Sequence, residues 1–479
     1  MNSKIIKNAS WLFSGQAIGR ALRAILIVFA ARTLGTSEWG VFSYALSLAA
    51  AFTVFSDIGI NALLVREGSR DSSLRSKYLS TGLAIKLILL SGISIFALLA
   101  KDIIVRIPEA AILIPLIIAI FVIDSLRDFV SALARSFERM DIEAKGQIIT
   151  NMGIVGFGLL FLYLNPTSAS LASGYVVGTL LGLIAVFVPL RSYFRGLVKE
   201  FSRGLIKEII VSAWPFGLVS LMGVIMINTD ILVLGSVGSA SDVGLYAAAQ
   251  KPVQLLYLIP SILAAAFFPT LSREAGENAK FRDTLEKGLK SAYFFAIPMA
   301  LGGALAAEPV MRLVYGPDFI SSAPSFIFLS LTFLFVFPSV FFTNALFAKN
   351  SQRSFYGLLL IGVLVNVFLD IILIPCFGIT GCAIATLIVQ AVLFTYGAVK
   401  LGRVSLFSIV PSGGRLIIAS LFMGAVVIGL LYLSVPVLLV VGLGFVSYIL
   451  ALIALKEPVF KEVYNAIRRK PGLTSGVEM

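Results

Sequence analysis

The most constraining feature of this sequence is a succession of apolar runs, each about as long as a bilayer is thick. A spanning helix needs about 20 mostly apolar residues. Runs of that kind occupy residues 9–34, 40–64, 78–100, 110–134, 146–164, 171–190 and 209–234. Further runs occupy 243–270, 288–306, 322–347, 355–374, 379–399, 415–434 and 436–455. So many runs cannot all be hidden in one soluble core. Composition agrees: 58% of residues are hydrophobic and 13% are charged, where soluble domains carry about 25% charged residues. A mean hydropathy of +0.99 holds over the whole chain. The expected fold is an all-α polytopic membrane protein with about fourteen transmembrane helices.

Lysine and arginine in the connections orient the spans, because cytoplasmic loops carry the excess. With the N-terminus inside, the inside set is residues 1–8, 65–77, 135–145, 191–208, 271–287, 348–354, 400–414 and the tail from 456, with flanking Lys290 and Arg415. It holds 29 of the 38 Lys and Arg residues, and the outside loops hold only Lys101, Arg106 and Arg312. Both termini are therefore expected in the cytoplasm, in a multi-pass protein of the cell membrane. The basic N-terminal stretch runs on into a helix with Gln16, Arg20 and Arg23, so it reads as a retained first span rather than a cleaved signal.

Several chemistries fall away. The chain has no histidine, which excludes a histidine proton relay and a His-ligated metal site. The net charge of +13 lies in short loops, where it sets topology rather than binding nucleic acid. Cys376 and Cys382 read as buried apolar residues rather than a disulfide. No connection reaches twenty residues, too short for a domain holding acid, base or metal chemistry. The expectation is a non-enzyme with no cofactor and no metal.

The two halves resemble each other. Trp11, Phe13 and Leu34-Gly35 of the first span match Trp214, Phe216 and Leu234-Gly235 of the seventh. Gly40-Val41-Phe42 matches Gly244-Leu245-Tyr246, and Pro166 matches Pro375. Six spans per unit is an even number, so the repeats are parallel, related by a pseudo-two-fold along the membrane normal. This is the architecture of alternating-access transporters. The expected domains are an N-terminal lobe (1–200), a C-terminal lobe (201–400), helices 13 and 14 (401–455) and a basic cytoplasmic tail (456–479).

A charge inside a bilayer costs about 2.5–3.5 kcal/mol on insertion scales, so charges inside spans point to function or pairing. Gln16, Arg20 and Arg23 share one helix face. The span holds no acid to pair with them. Lys251 lies in span eight near Gln254, with Pro252 and Pro260 set to bend that helix. For Lys86, in the inner half of span three, snorkelling and a cavity role stay open. Asp124, Arg127 and Asp128 have the i, i+3, i+4 spacing of an intrahelical ion pair. Asp57, Asp230, Asp370 and Arg32 lie near span ends, where solvation or snorkelling accounts for them. The expected substrate-binding set is Arg20, Arg23, Lys251, Gln16, Gln254 and Lys86, lining a cationic cavity suited to an anion. The candidates for ion coupling are Asp57, Asp124 and Asp128.

Particular motifs resemble a known family. Ala31-Arg32-Thr33-Leu34-Gly35-Thr36-Ser37-Glu38-Trp39-Gly40-Val41-Phe42-Ser43-Tyr44 looks like the opening of the polysaccharide flippases. So do Ser56-Asp57-Ile58-Gly59-Ile60, Leu64-Val65-Arg66-Glu67, Asp242-Val243-Gly244-Leu245-Tyr246-Ala247, and Ile374-Pro375 with Gly378-Ile379-Thr380-Gly381-Cys382-Ala383. The resemblance covers nearly the whole chain. It points to the multidrug/oligosaccharidyl-lipid/polysaccharide exporter superfamily, nearest the Wzx-type O-antigen and repeat-unit translocases. It implies a flippase that moves a polyprenyl-(pyro)phosphate-linked oligosaccharide across the cytoplasmic membrane, with membrane lipid and polysaccharide-assembly proteins as partners. By the same resemblance, spans thirteen and fourteen would serve the lipid tail. Ala249-Gln250-Lys251 matches the place where the lipid II flippases carry an arginine after an Ala-Asp pair. This chain lacks their mid-span arginine in span two, which weighs against a peptidoglycan precursor. Two other readings stand beside it: a drug or metabolite exporter of the same superfamily, and a membrane glycan polymerase or ligase.

Overall fold

The computed structural model describes residues 3–71, 73–401 and 406–458, without the side chains of residues 3–10, 12–14, 17, 219, 352–356 and 406–413. The expected basic tail lies almost wholly outside the described residues. Every regular element described is a helix, and the protein is all-α and polytopic. Apolar side chains cover its outside: Ile88, Leu99, Leu164, Phe368, Leu433 and Phe445 are all exposed. In water this would be a liability. Facing lipid tails, it is the required surface.

Eleven of the described helices are long and apolar enough to cross a membrane, or twelve if the bent pair Ile18–Phe55 and Ile60–Arg70 is one span. The sequence runs number fourteen, and the counts differ at two places. The first is the helix Ser3–Phe55, whose 53 residues take in two runs. At 1.5 Å per residue it would be about 80 Å long, well beyond one crossing. It breaks at Gly35, where φ is 72°. The second is the helix Ile114–Ser136, long enough to span but carrying Asp124, Arg127 and Asp128.

The chain forms two compact units. Unit 1 takes Met1–Ala248, Val314–Ser321 and Val363–Cys382. Its helices Met140–Leu164 and Ser168–Leu190 pack through small residues. A side chain on Gly174 would meet the Gly158 backbone at 2.6 Å, and one on Gly178 would meet the Ile154 amide at 2.3 Å. Such spacing lets backbones approach in lipid, where no hydrophobic force drives helices together. The same unit contains a reciprocal contact between the two repeat motifs. A Cβ on Gly40 would lie 1.7 Å from the Ala240 carbonyl, and one on Gly244 would lie 1.9 Å from the Thr36 carbonyl. The Ser241 hydroxyl donates to Thr36 Oγ1 at 2.8 Å beside it. Arg32, expected to snorkel, donates through Nε to the Val314 carbonyl at 2.8 Å.

Unit 2 takes Ala249–Leu313, Ser322–Gly362 and Ala383–Met479. Its final helices, Leu406–Tyr432 and Val437–Ala454, pack on the helix Asn278–Leu305. Met423, Val427, Val440, Tyr448 and Phe294 form that core, and the Tyr448 hydroxyl donates to the Phe294 carbonyl at 2.8 Å. The break expected from Pro252 and Pro260 falls at Tyr257, between the helices Ala240–Leu256 and Leu258–Arg273. Pro260 has no N–H to return to the preceding turn. Both cysteines are free thiols. Cys382 is buried, but Cys376 is exposed near the end of its helix, contrary to the expectation that both would be buried.

Candidate functional site

Span two is broken at Ser56–Gly59. Ile58 and Gly59 both take positive φ, at 41° and 90°, and the helix resumes at Ile60. Glycine is needed at position 59 for more than its φ. A Cβ there would lie 2.1 Å from the Ala213 carbonyl, and one on Gly217 would lie 2.4 Å from the Ile58 backbone. The break is therefore seated on the helix Arg203–Val237 with no room for a side chain on either glycine. The Ser56 and Ser125 hydroxyls, 2.8 Å apart, tie it to the helix Ile114–Ser136.

The break gives Asp57 a role that the sequence did not show. Its Oδ1 accepts from Lys86 Nζ at 3.1 Å, and the Asn61 amide donates to the same oxygen at 3.3 Å. Asp57 is thus paired inside the unit and not simply solvated at a helix end. Lys86 is 0% exposed, so it does not snorkel. Its ammonium also donates to Asn61 Oδ1 at 3.4 Å and sits 5.7 Å from the Phe129 ring centroid. A buried ammonium needs such partners, since desolvation would otherwise dominate.

On the helix Ile114–Ser136, Arg127 forks between two acids. Nη1 meets Asp124 Oδ1 at 2.8 Å and Nη2 meets Asp128 Oδ1 at 2.9 Å. A planar guanidinium suits that geometry. Arg23 Nε donates to the carboxamide of Asn151, and Arg23 lies within electrostatic reach of Asp124. Asn151 is held in turn by the Gln147 carbonyl at 2.6 Å. Gly19 faces Asn151 so closely that a Cβ would reach its Nδ2 at 2.5 Å. Gln16 and Arg20 are exposed on the same helix, whereas Arg23 is half-buried.

Asp57, Asn61, Lys86, Ser125 and Asp128 border a cavity of ≈ 510 Å³, a size typical of small-ligand sites. Thr53, Asp57, Asn61, Lys86, Ser125, Asp128, Arg135 and Ser220 provide its polar lining. Two acids face two bases, and Arg135 is itself held by Glu143 at 3.0 Å. Of the substrate-binding set expected from the sequence, only Lys86 lines this cavity, which is charge-balanced and rich in neutral hydrogen-bonding groups. Counting cations along span one could not show this, because the compensating acids come from spans two and four. Lys251 and Gln254 are half-buried in unit 2.

A second buried polar cluster also lies in unit 1. Asp230 and Asp370, expected to be solvated at helix ends, are 2% and 0% exposed. Their carboxyls face each other, the Tyr246 hydroxyl donates to Asp230, and Cys382 lies beside both acids. Asn366, one turn before Asp370, is buried as well. The described residues contain no grouping of three or more His, Cys, Asp or Glu that would hold a metal ion.

Sequence reasoning missed Asn61 and Asn151. Each is an asparagine one turn from another polar residue, Asp57 or Gln147, within an otherwise apolar stretch. That spacing was the available signal.

Comparison with known proteins bears on family and fold. The model of a family described as polysaccharide biosynthesis protein matches residues 5–275. The chain is 26% identical over 388 residues to a Haloferax volcanii protein described as the probable low-salt glycan biosynthesis flippase Agl15, covering 80% of each chain. It is 20% identical over 394 residues to the capsular polysaccharide biosynthesis protein CapF of Staphylococcus aureus, covering 81% of this chain and 97% of that one. Its fold matches the solved structure of the lipid II flippase MurJ in an inward closed conformation. The TM-score is 0.75 at 18% identity, over 96% of this chain and 100% of the other.

Proposed function

Because the chain belongs to the polysaccharide biosynthesis protein family, we propose that it is a flippase carrying a polyprenyl-(pyro)phosphate-linked oligosaccharide across the cytoplasmic membrane by alternating access. The observation that carries this reading is the polar cavity of unit 1, held inside an apolar helical shell. A carrier for a lipid-linked sugar has to hide a large hydrogen-bonding headgroup from the bilayer while its tail stays in lipid. Neutral donors and acceptors (Thr53, Asn61, Ser125, Ser220) suit hydroxyl-rich rings. The charges of Lys86 and Arg127 are already matched, so they orient the lining rather than attract an anion.

The phosphates then fall to cations outside the lining of that cavity. Arg23, oriented by Asn151, and the exposed Arg20 and Gln16 take the phosphate oxygens in unit 1, and Lys251 and Gln254 are the candidate headgroup contacts of unit 2. Coupling lies with Asp230 and Asp370 more than with Asp57, Asp124 or Asp128. Two carboxylates in contact repel each other, and a bound proton or monovalent cation relieves the repulsion. The last two helices hold the lipid tail, both termini are cytoplasmic, and the partners include polysaccharide-assembly proteins. The chain carries its substrate without altering it.

The test is reconstitution in proteoliposomes with a fluorescent polyprenyl-pyrophosphate oligosaccharide, following protection of the label from an outside quencher. Wild type is expected to exchange the label between leaflets, and Asn61→Ala and Arg23→Ala are expected to lose that activity while expressing normally. Full exchange by both variants overturns the site. Export of an organic cation, with no movement of the lipid-linked sugar, overturns the substrate class.

A further inference from the structure

Between the helices Ser168–Leu190 and Arg203–Val237, the chain makes two short turns, Arg191–Phe194 and Leu197–Glu200. A connection of this length between two spans has to run along the membrane surface. It is also pinned to unit 1. Leu197 is buried, and the Ser80 hydroxyl donates to its carbonyl at 2.5 Å. The Ser202 amide donates to Thr81 Oγ1 at 3.1 Å. The rings of Tyr193 and Phe137 lie 4.5 Å apart, and those of Phe194 and Phe187 lie 5.1 Å apart. The segment is a strap rather than a loose linker.

The outward face of the strap has an unusual composition. Arg191, Arg195, Lys199 and Arg203 recur every fourth residue, and all four are exposed. None of them forms an ion pair among the described residues, whereas nearby Arg139 is matched by Asp141 at 2.9 Å. Glu200 is the only acid from 191 to 207. Among the cations, Val198 is 90% exposed although its neighbour Leu197 is buried, and Tyr193 and Phe201 are exposed too. Loop charge alone would satisfy the topology rule. It does not require an ordered strap, nor an apolar residue standing out between the charges. Cations alternating with exposed apolar groups make up the pattern of interfacial membrane binding, in which the apolar groups enter the headgroup boundary and the cations meet anionic lipid.

We propose that residues 191–203 form a docking surface for anionic phospholipid headgroups, with Val198, Tyr193 and Phe201 seated at the acyl boundary. Because the strap is already ordered by its contacts with unit 1, lipid binding does not have to fix the backbone as well.

The experiment uses the full chain in nanodiscs of mixed phosphatidylcholine and phosphatidylglycerol. The lipid retained through purification is quantified. A photo-crosslinking residue at Val198, in an otherwise wild-type chain, reports what that position touches. The expected results are enrichment of phosphatidylglycerol over its bulk fraction, and lipid adducts from position 198. In R191Q/R195Q/K199Q/R203Q the enrichment should fall about tenfold or more, a conservative reading of four cations near an anionic surface. Removing four cations from another basic connection, in R273Q/K280Q/R282Q/K287Q, should leave most of it. Equal losses in the two variants, or unchanged retention in the first, overturn the proposal. So do water-quenched probes at position 198 without lipid adducts, and displacement of the bound lipid by millimolar inorganic phosphate. Headgroup translocation is not part of the readout, so failure here leaves the flippase reading intact, and failure of that reading leaves this one intact.

Discussion

Unit 1 buries two polar clusters by opposite means. Around the cavity every described acid has a basic partner: Asp57 with Lys86, and Asp124 and Asp128 with Arg127. In the other cluster two acids, Asp230 and Asp370, are buried face to face. A matched pair is satisfied as it stands, and its polar groups are fixed in advance of any ligand. Two facing carboxylates repel each other, and uptake of a proton or a cation relieves the repulsion. The contrast separates a cluster of matched charges from a cluster of facing acids.

The largest expected effect follows from the second cluster. Asp370→Asn or Asp230→Asn is expected to abolish coupled translocation in the proteoliposome assay while the melting temperature holds or rises, because repulsion is removed. Normal transport by both variants would show that the acid pair is only packing. The matched cluster should respond the other way. Asp57→Asn leaves a fully buried ammonium with neutral acceptors and is expected to cost about 3 kcal/mol or more of stability. Lys86→Met added to it should restore most of that loss, as replacing both partners of a buried pair often does. A double-mutant cycle with no recovery would mean that the Lys86–Asp57 pair is not the unit. Arg127→Lys should have the smallest effect, about 1–2 kcal/mol, because a point charge cannot span Asp124 and Asp128 together. An unchanged thermal midpoint there would mean that one of the two contacts carries no weight.

How far the sequence could foresee this depends on how far apart the partners lie. The Asp124–Arg127–Asp128 cluster sits within one helical turn, and its spacing predicts the observed ion pairs. Lys86 lies on the helix Arg75–Leu99 and Asp57 in the break of span two, and Asp230 and Asp370 are 140 positions apart, so no local period brings either pair together. Reading each charge by its depth along its own span put Asp57, Asp230 and Asp370 in solvent, because depth says nothing about which face a helix turns inward. The break in span two was within reach. Ser56-Asp57-Ile58-Gly59 has the composition of a turn, but it interrupts an apolar run that is otherwise long enough to cross the bilayer unbroken. The expected fourteen runs all lie on helices or helix segments. The exact number of crossings turns on the kink at Gly35 and on the charged helix Ile114–Ser136, and composition alone cannot weigh either one.

The contact between Gly40 and Gly244 has a mechanical consequence. Each glycine lies against the carbonyl of the other's preceding turn, so the two helix starts are notched into one another with no side chain as a cushion. A notch of this kind tolerates little sliding, because a small shift drives backbone into backbone. It holds or it releases, in the manner of a snap fastener, and a transporter built on it would pass between states in a step rather than by degrees.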